Sequence, residues 1–517
     1  MSKAFRKALP ISSRQPPSLP GGPVTRAQFR GETLSGRAVA VSDATIRSLE
    51  AVCATRVDDD SLFNFARDWW PLGLVWATTG HVARLPAAVV EPSSVDQIAA
   101  VLRICNEARI PVVAAGGRSG VLGNSLPVFG GVVLDTTRLS GILDLREDDL
   151  VADVQAGTFG DDFEATLQAE GYTAGHWPQS MALSTVGGWI ACRGAGQMSS
   201  RYGTIADITM GVTAVLADGT VIDTSDYSHS ATGPDLTQLF VGSEGTLGVI
   251  TSARLHIWPK STHACNAAFA FPSFAAGVAA IRRFVRRGAT PAIVRLYDQV
   301  ESRRNFGTEN QCVLILRDEG DPAIIEGPWQ AVVQECDGVA LGEGPVKQWL
   351  SHRNNVGTMD ALIADRAPDT MEVTAPWSRV VDIYEKTTAA MSAVEGTRTA
   401  TAHISHVYPD RVGLYFMFGG RPELDERPGW YRRVWDAAAT TVLQNGGNLS
   451  HHHGIGLGRG RFMRDALGGS FEVLERLKSA LDPNRILNPG KMGLDSPFGP
   501  PPAWSDNVTM PPNSEAS

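Results

Sequence analysis

Hydrophobic residues recur along the chain with two different periods, and the changes of period predict alternating strands and helices. Residues 88–90 form a short apolar run, and a second run follows at 111–115. Between them Ser94 and Gln97 have the spacing of a helix N-cap and its capping partner, and the residues that follow place apolar side chains on one face. Strand, helix and strand within residues 88–115 predict a βαβ unit.

The pattern continues in two blocks and predicts an α+β protein. Alternation over residues 150–156 indicates a strand, and Asp218-Gly219 is a strong hairpin signal. After about residue 260 the pattern predicts a second αβ domain of its own. We expect helices near residues 161–170, 273–287, 379–391 and 431–444, and strands near residues 293, 313–317, 401–407 and 412–418.

Composition shifts divide the chain into five segments. Residues 1–40 are rich in Pro, Gly, Ser and Arg and predict a flexible N-terminal tail, and residues 41–83 form an N-terminal helical segment. Residues 84–260 and 261–482 are the two domains. Residues 483–517 return to the first domain and end in a Pro-rich tail.

Composition and charge exclude several classes of protein. Hydrophobic residues make up 43% and charged residues 20% of the 517 residues, which is typical of a packed globular protein. The net charge of −9 argues against nucleic acid as a partner. The six cysteines include no C-x-x-C pair, which disfavours a disulfide framework or zinc knuckle and favours a reducing compartment.

The lengths of the apolar runs also indicate whether the chain enters a membrane. No stretch of 18 uninterrupted apolar residues occurs, so we expect no transmembrane segment. We expect a cytoplasmic homodimer and leave peripheral membrane contact open. The basic residues Lys3, Arg6 and Lys7 leave an organelle transit segment as the alternative to a solvated tail.

Common signatures of nucleotide and hydrolase sites are absent, but three glycine-rich turns are present. No G-x-G-x-x-G follows a strand, and the P-loop, H-E-x-x-H and G-x-S-x-G patterns do not occur. The turns lie at residues 115–120, 178–196 and 242–250. Adjacent glycines let backbone N–H groups converge on an anion such as a pyrophosphate. A tight exit from a strand is the alternative interpretation of the first turn.

The three turns, in this order, resemble the flavin-binding domain of the FAD-linked oxidase family, which has the vanillyl-alcohol oxidase fold. The resemblance rests on P-Q-S-x-x-x-S-T-V-G-G-W at residues 178–189 and G-S-E-G-T-L-G-V-I at residues 242–250, and it runs from about residue 63 to 493. Within the family the chain is most similar to the alkyldihydroxyacetonephosphate synthases and their bacterial relatives. The resemblance implies a PCMH-type FAD-binding domain of two α/β subdomains, followed by a cap, or substrate, domain with an antiparallel sheet flanked by helices.

FAD is the cofactor that the resemblance implies, and it also implies which residues contact it. Some relatives tether FAD through a histidine in the first turn, where this chain has Arg118, so we expect non-covalent FAD unless a cap-domain histidine supplies a tether. Asn488 and Lys491 are implied to close over the flavin ring. The implied cofactor contacts are Ala114, Ala115, Gly116, Gly117, Arg118, Ser119, Gly120, Gln179, Ser180, Ser184, Thr185, Gly187, Gly188, Cys192, Arg193, Ala195, Glu244, Gly245, Thr246, Gly248, Val249, Ile250 and Asn488.

Three consecutive histidines in the second domain are candidate proton-transfer groups. His451, His452 and His453 lie in a Gly-rich segment, and an imidazole titrates near working pH. If the backbone is extended there, His451 and His453 share a face and His452 opposes them. A solvated loop or an adventitious metal patch is the alternative, and we predict no metal. The resemblance favours catalysis, because the synthases carry the same S-H-H-H-G pattern in their active site.

Tyr415 is a further catalytic candidate. Alternation places it on one face of its strand with Gly413 and Met417, and packing in the core is the alternative. The resemblance implies an acid/base role, although a phenol with an ordinary pKa near 10 needs help to act as a base.

Four residues are candidates for substrate binding. His403 and His406 are three apart on a strand, so at most one reaches the site unless a bulge intervenes. Arg295 matches an arginine of the family and either faces substrate or braces the domain interface. The synthases also have an arginine in a P-Y-L-R-D segment that is absent here, and Arg366 is an out-of-register substitute.

Three functions remain open. The first is an FAD-dependent oxidoreductase acting on a hydroxy acid, an alcohol or a lipid-like hydroxyl compound. The second is an alkyldihydroxyacetonephosphate synthase that exchanges an acyl group for a fatty alcohol. The third is a non-catalytic flavin-binding scaffold, against which the histidine and tyrosine cluster argues.

Overall fold

The N-terminal region packs against the rest of the protein in the computed structural model, which describes residues 7–22, 24–224, 229–355 and 367–501. Its first strand pairs with residues 142–145 of the first domain, and Leu19, Val24 and Leu34 are buried. The predicted flexible tail is therefore wrong for the described part of residues 1–40. The elements of this region are β1 (Lys7–Leu9), β2 (Gly31–Glu32), α1 (Asp43–Glu50), β3 (Ala54–Arg56), α2 (Asp59–Phe65), α3 (Pro71–Ala77) and β4 (His81–Val82).

The first domain contains two larger sheets and one small two-stranded sheet. Its elements are β5 (Ala88–Glu91), α4 (Val95–Glu107), β6 (Val112–Ala115), β7 (Val132–Asp135), β8 (Ile142–Arg146), β9 (Val151–Gln155), α5 (Gly160–Ala169), β10 (Tyr172–Thr173), α6 (Val186–Ala191), α7 (Ser199–Tyr202), α8 (Ile205–Ile208), β11 (Thr209–Val215), β12 (Val221–Asp223), β13 (Val249–His256) and β14 (Trp258–Pro259). One larger sheet has the order β3-β5-β7-β6 and the other β1-β8-β9-β13-β11-β12.

The predicted βαβ unit is confirmed. Strands β5, β7 and β6 are parallel, and their apolar runs are mostly buried, as expected for parallel strands covered on both faces. Helix α4 begins after Ser94, whose side chain accepts from the Gln97 amide. The first glycine-rich turn follows β6, and the third leads into β13.

The second domain is a seven-stranded antiparallel sheet of order β18-β15-β17-β16-β20-β21-β19. Its elements are β15 (His263–Phe271), α9 (Phe274–Arg286), β16 (Ile293–Tyr297), α10 (Gln299–Phe306), β17 (Cys312–Gly320), α11 (Pro322–Glu335), β18 (Val339–Ala340), α12 (Gly344–His352), β19 (Asp369–Pro376), α13 (Val380–Ala393), β20 (Thr397–Val407), β21 (Arg411–Gly420), α14 (Arg427–Gln444), α15 (Met463–Leu467) and α16 (Ser470–Leu481).

Alternation along the cap strands sorts side chains between a core and a site. Along β21, Leu414 and Phe416 pack into the core formed with α9, α13 and α14, while Tyr415 and Met417 face the first domain. The side chains that face the first domain are therefore the ones available to a ligand held between the domains.

The C-terminal segment returns to the first domain. Leu487 bridges Val112, and the Asn488 amide donates to the Val112 carbonyl at 2.8 Å. The buried Lys491 donates to the Leu126 carbonyl at 2.6 Å. Across the described residues, no helix has the length and apolar character that a bilayer crossing requires.

Candidate active site

A cavity of about 830 Å³ lies between the two domains. All three glycine-rich turns line one side, and the cap sheet with the histidine segment lines the other. The volume falls within the range typical of cofactor and ligand sites. The cavity is therefore a candidate site at which a ligand would contact both domains.

The first-domain wall is a cradle in which glycines are required. A Cβ on Gly117 would lie 1.9 Å from the Leu183 carbonyl oxygen, and one on Gly116 would lie 2.4 Å from Thr185 Oγ1. Gly187 approaches Ala156 in the same way. These contacts hold the first two turns against each other, so that small residues and backbone groups face the cavity. A dinucleotide with a pyrophosphate fits such a wall.

Most of the implied cofactor residues line this wall, and three do not. Arg193 turns outward to Gln238 and to the Val241 carbonyl, and the Thr246 hydroxyl donates to the Ser243 carbonyl at 2.7 Å. Asn488 lies behind the third turn and donates to the Glu244 carbonyl at 2.6 Å. The lining residues are Ala114, Ala115, Gly116, Gly117, Arg118, Ser119, Gly120, Gln179, Ser180, Ser184, Thr185, Gly187, Gly188, Cys192, Ala195, Glu244, Gly245, Gly248, Val249 and Ile250.

Arg118 has a mainly structural set of contacts. It adopts a left-handed backbone conformation with φ of 54°, and its guanidinium donates to Asn64 and lies 4.4 Å from the Phe65 ring centroid. Burial lowers its pKa to about 10. The side chain thus ties the first turn to helix α2.

A bulge brings both strand histidines to the cavity. His403 pairs with Tyr415 and Ile404 with Leu414, but His406 pairs with Gly413. One extra residue therefore lies between Ile404 and His406 on β20. On a regular strand the two imidazoles would point to opposite faces. With the bulge, both line the cavity.

His403 links a carboxylate to Arg295. Its Nδ1 lies 2.9 Å from Glu301 Oε2, and Arg295 Nη2 donates to its Nε2 at 2.7 Å. Because the guanidinium always donates, Nε2 is the acceptor and Nδ1 carries the proton. Burial lowers the pKa of His403, which keeps it neutral in this arrangement. Arg295 also lies over the Trp349 ring at 5.1 Å and lines the cavity.

Tyr415 stacks on His403, with ring centroids 5.0 Å apart and planes 21° from parallel. Its hydroxyl donates to Thr370 Oγ1 at 3.1 Å. Burial raises the pKa of Tyr415 to about 12. The phenol is therefore protonated at neutral pH and can donate a hydrogen bond.

The three histidines lie in a bend, and the bend separates their roles. His452 and His453 line the cavity, while His451 turns to the Tyr408 hydroxyl, 2.7 Å from its Nε2. His451 Nδ1 lies 2.7 Å from His452 Nδ1. The backbone is not extended here, so the condition under which His451 and His453 would share a face is not met.

Nitrogens of His406, His451 and His452 lie within 4.8 Å of one another, a spacing at which a metal ion can be held. Both nitrogens of His406 already have contacts: Nε2 lies 2.8 Å from the Gly196 carbonyl and Nδ1 lies 2.9 Å from the Ser405 hydroxyl. The absence of a metal stays a prediction.

Two family models match the chain: "FAD binding domain" over residues 86–225 and "FAD linked oxidases, C-terminal domain" over residues 260–492. The Escherichia coli K12 protein "Uncharacterized FAD-linked oxidoreductase YgcU" is 31% identical over 432 residues, which cover 78% of this chain and 88% of the relative. This chain belongs to the FAD-linked oxidase family. It is an enzyme whose cofactor is FAD.

Two further relatives of this FAD-linked oxidase have different activities in their names. The alkyldihydroxyacetonephosphate synthase of Dictyostelium discoideum is 27% identical over 463 residues, covering 81% of this chain and 75% of the relative. The glycolate oxidase subunit GlcD of Bacillus subtilis is 26% identical over 432 residues, covering 80% and 90%. A solved alkyldihydroxyacetonephosphate synthase has a TM-score of 0.74 at 22% identity, covering 88% of this chain and 87% of the other. The predicted α+β fold is confirmed.

Several lining residues of this FAD-linked oxidase escape sequence reasoning. His176 is 1% exposed and neither ring nitrogen has a hydrogen-bond partner among the described residues; burial lowers its pKa to about 3. Arg304 and Arg353 line the cap side. His176, just before the Pro178-Gln179-Ser180 motif, offered a signal. Arg304 in α10 and Arg353, which directly follows α12, have only ordinary surface patterns around them. Arg366 falls outside the described residues.

Glu372 in β19 is the most consequential residue that was missed. Its carboxylate is fully buried beneath the histidine bend, paired with the equally buried Arg459. A glutamate within the buried strand β19 hinted at a functional or paired carboxylate. The hint was weak, because the partners of Glu372 lie about 80 residues away along the chain and cannot be identified from its neighbours.

Proposed function

We propose that this FAD-linked oxidase oxidises the hydroxyl group of a small hydroxy acid. The observation that carries the proposal is a set of arginines, Arg295, Arg304 and Arg353, on the cap side of the cavity. Arg295 Nε and Arg353 Nη1 are buried and have no hydrogen-bond partner among the described residues. Buried guanidinium donors without partners favour a carboxylate ligand.

The carboxylates of the cavity wall do not satisfy these arginines fully. Glu244 accepts from the amides of Ile455 and Gly456, and Glu301 is occupied by His403 and Thr401. Asp369 accepts from Tyr431 and from Trp435. Since each carboxylate has donors of its own, spare positive charge remains on the cap side, and an anionic substrate group would meet it.

Substrate oxidation also needs a group that takes the hydroxyl proton. We infer that His453 takes it, since His453 lines the cavity and its Nδ1 lies 2.7 Å from Glu372 Oε2, which leaves Nε2 for the substrate. Tyr415 is protonated, and by turning its O–H from Thr370 Oγ1 it supplies a hydrogen bond to the substrate oxygen. When bound, FAD supplies the two-electron acceptor for the hydride of the C–H bond, so that the alcohol becomes a carbonyl.

The cofactor is proposed to be held without a covalent bond. Arg118 stands in the first turn, and its guanidinium is engaged with α2. Most of the remaining implied contacts are glycines, hydroxyls and other uncharged side chains, and burial raises the pKa of the Cys192 thiol, which keeps it protonated. Release of yellow flavin into the supernatant on acid precipitation would agree with this proposal, and flavin retained in the pellet would contradict it.

A second candidate function is ether-lipid synthesis. The Ser450–Gly454 segment has the S-H-H-H-G pattern that the synthases share, and a phosphate would also satisfy the spare arginines. Against it, the synthase segment with its phosphate-gripping arginine is absent from the sequence.

One pair of assays separates the two candidates. FAD-loaded protein is mixed without oxygen with a panel of 2-hydroxy acids and neutral alcohols, and flavin absorbance is followed. A parallel sample receives palmitoyl-dihydroxyacetone phosphate and hexadecanol. Bleaching by hydroxy acids without ether product supports the proposal, whereas ether product without bleaching supports the synthase.

A further inference from the structure

We propose that Glu372 and Arg459 are positioning residues that hold the histidine bend, residues 450–453, in the geometry required for proton transfer. This inference rests on the proposed function for its catalytic meaning. Its structural part concerns how the bend is held and can be tested without any substrate.

Glu372 gathers the donors of the bend on a single oxygen. Its Oε1 accepts from the Ser450 hydroxyl at 2.9 Å and from the backbone amides of His451, His452 and His453 at 3.3, 3.2 and 2.9 Å. Three consecutive amides reach one oxygen only if the backbone curls around it. The carboxylate therefore dictates the path of the chain through the three histidines.

Arg459 stabilises the charged form of the buried Glu372 carboxylate. Its Nη1 donates to Oε1 at 2.9 Å and its Nη2 to Oε2 at 2.6 Å, and both side chains are 0% exposed. Burial by itself raises the pKa of Glu372, but Arg459 and His453 outweigh burial and hold that pKa well below its ordinary value. Glu372 is thus a permanent anion, which attracts N–H donors more strongly than a neutral acceptor would.

Arg459 is itself fixed from two further sides. Its Nη1 donates to the Gly454 carbonyl at 3.2 Å, and the guanidinium lies 5.1 Å from the Trp435 ring centroid. Gly454 has φ of 79°, and it ends the bend in a left-handed conformation that glycine adopts at little cost. The ion pair therefore holds both the start and the end of the bend.

The second oxygen of Glu372 acts on His453. His453 Nδ1 lies 2.7 Å from Oε2, within contact distance of the carboxylate but not aligned for a hydrogen bond. A carboxylate on one side of an imidazole favours the proton on that side and leaves the other nitrogen for the substrate. Glu372 thereby fixes where His453 sits and which nitrogen faces the cavity.

Paired variants test this inference. In Glu372→Met/Arg459→Met, two apolar side chains replace the buried ion pair, a change that commonly preserves the fold. In Glu372→Gln/Arg459→Met, the acceptor oxygen is kept and the charges are lost. Ser450→Ala removes only one donor. Asp482→Asn is the matched control, because Asp482 is also a fully buried carboxylate, paired with Lys478 and with two backbone amides, but lies outside the cavity lining.

Hydrogen–deuterium exchange of peptides covering residues 448–456 in the FAD-loaded protein measures how firmly the bend is held. We expect exchange to be about tenfold faster in the Met/Met variant, clearly less affected in the Gln/Met variant, and unchanged in Asp482→Asn. If the Met/Met variant does not fold, Ser450→Ala and the Gln/Met variant supply the comparison, each with a smaller acceleration. Wild-type exchange in every folded variant would overturn the inference.

Flavin reduction by the active hydroxy acid measures the catalytic consequence. We expect kcat to fall about 100-fold in the Met/Met variant while KM stays within about threefold, because a misplaced base slows the chemical step more than it weakens binding. An equal loss of kcat in Asp482→Asn would contradict a positioning role. If wild-type flavin is not reduced by any hydroxy acid, the proposed function fails, and the exchange experiment still decides whether Glu372 and Arg459 hold the bend.

Discussion

His406 of the cap lies with its Nε2 2.8 Å from the backbone carbonyl oxygen of Gly196 in the first domain. Because a carbonyl only accepts, Nε2 carries the proton, and Nδ1 faces the Ser405 hydroxyl. Both nitrogens of His406 are thus engaged, Nε2 with the first domain and Nδ1 within the cap itself. Among the cap imidazoles that line the cavity, this leaves His452 and His453 to meet a substrate, and Glu372 distinguishes His453 from His452.

Tyr415→Phe tests the role of the phenol. The change removes the hydroxyl but keeps the ring that stacks on His403, so FAD content should be unchanged and kcat should fall about tenfold through loss of one hydrogen bond to the substrate oxygen. Since the pKa of Tyr415 is raised to about 12, wild type and variant should have pH–rate profiles of the same shape between pH 6 and 10. A basic limb present only in wild type would contradict this prediction.

Arg353→Met tests the anion-binding side of the cavity. The Nη1 group of Arg353 is buried without a partner among the described residues, so its removal should raise KM for a hydroxy acid by about 10- to 100-fold and leave kcat within about threefold. Steady-state kinetics with a hydroxy acid and with a neutral alcohol of the same length measure the difference. Arg254→Met is the control, because Arg254 is paired with Asp153 in the first domain and does not line the cavity. An equal effect on the acid and the alcohol would argue against a carboxylate at this position.

Gly117→Ala tests the cofactor cradle. The new Cβ would lie 1.9 Å from the Leu183 carbonyl oxygen, which forces the first two turns apart. We expect the purified variant to lose most of its bound FAD, measured from flavin absorbance per protein. Gly327→Ala is the control, because a Cβ at this exposed helical position meets nothing within 4 Å. Full FAD content in Gly117→Ala would show that the turn does not shape the site.

His176→Gln tests a pH dependence of stability. Burial lowers the folded-state pKa of His176 to about 3, below the unfolded value of 6.5, so the unfolded state takes up the proton first. The stability from this residue is present above pH 6.5 and is lost as the pH falls from there toward 3. At pH 5 the loss is about 2 kcal/mol.

Urea unfolding with saturating FAD at pH 7.5 and at pH 5.0 measures this effect. Between the two pH values, the free energy of unfolding of the Gln variant should fall by about 2 kcal/mol less than that of wild type. If the free energy of unfolding fell equally in wild type and in the Gln variant, His176 would have to be already protonated in the folded protein or exposed.

Most residues that the motifs indicated line the cavity, because a wall made of backbone and glycine is encoded by consecutive residues. That these residues bind FAD stays a prediction. The strand that carries Tyr415 was also predictable, since alternation separates Leu414 and Phe416 from Tyr415, and the structure shows that Leu414 and Phe416 form the core face. The bulge in β20 was not predictable from the sequence. The extra residue between Ile404 and His406 becomes evident only when His406 is seen to pair with Gly413 on the neighbouring strand.

Glu372 and the N-terminal region show a second limit of sequence reasoning. The ion pair of Glu372 with Arg459 joins residues 87 apart, and the pattern around neither residue specifies the other. The docking of residues 7–22 and 24–40 depends on scattered side chains such as Leu19 and Leu34, within a composition that otherwise resembles a tail. Both features depend on long-range packing, which local periodicity does not record.

The central claim is that a hydroxy acid gives its hydroxyl proton to His453 as FAD is reduced. Anaerobic stopped-flow measurement of flavin bleaching by the most active 2-hydroxy acid, in wild type and in His453→Asn, tests it most directly. We predict rapid bleaching in wild type and a rate about 100- to 1,000-fold lower in His453→Asn with FAD retained, while His406→Asn keeps a rate within about tenfold of wild type. Wild-type flavin that stays oxidised with every hydroxy acid, or equal bleaching rates in wild type and His453→Asn, would contradict the claim.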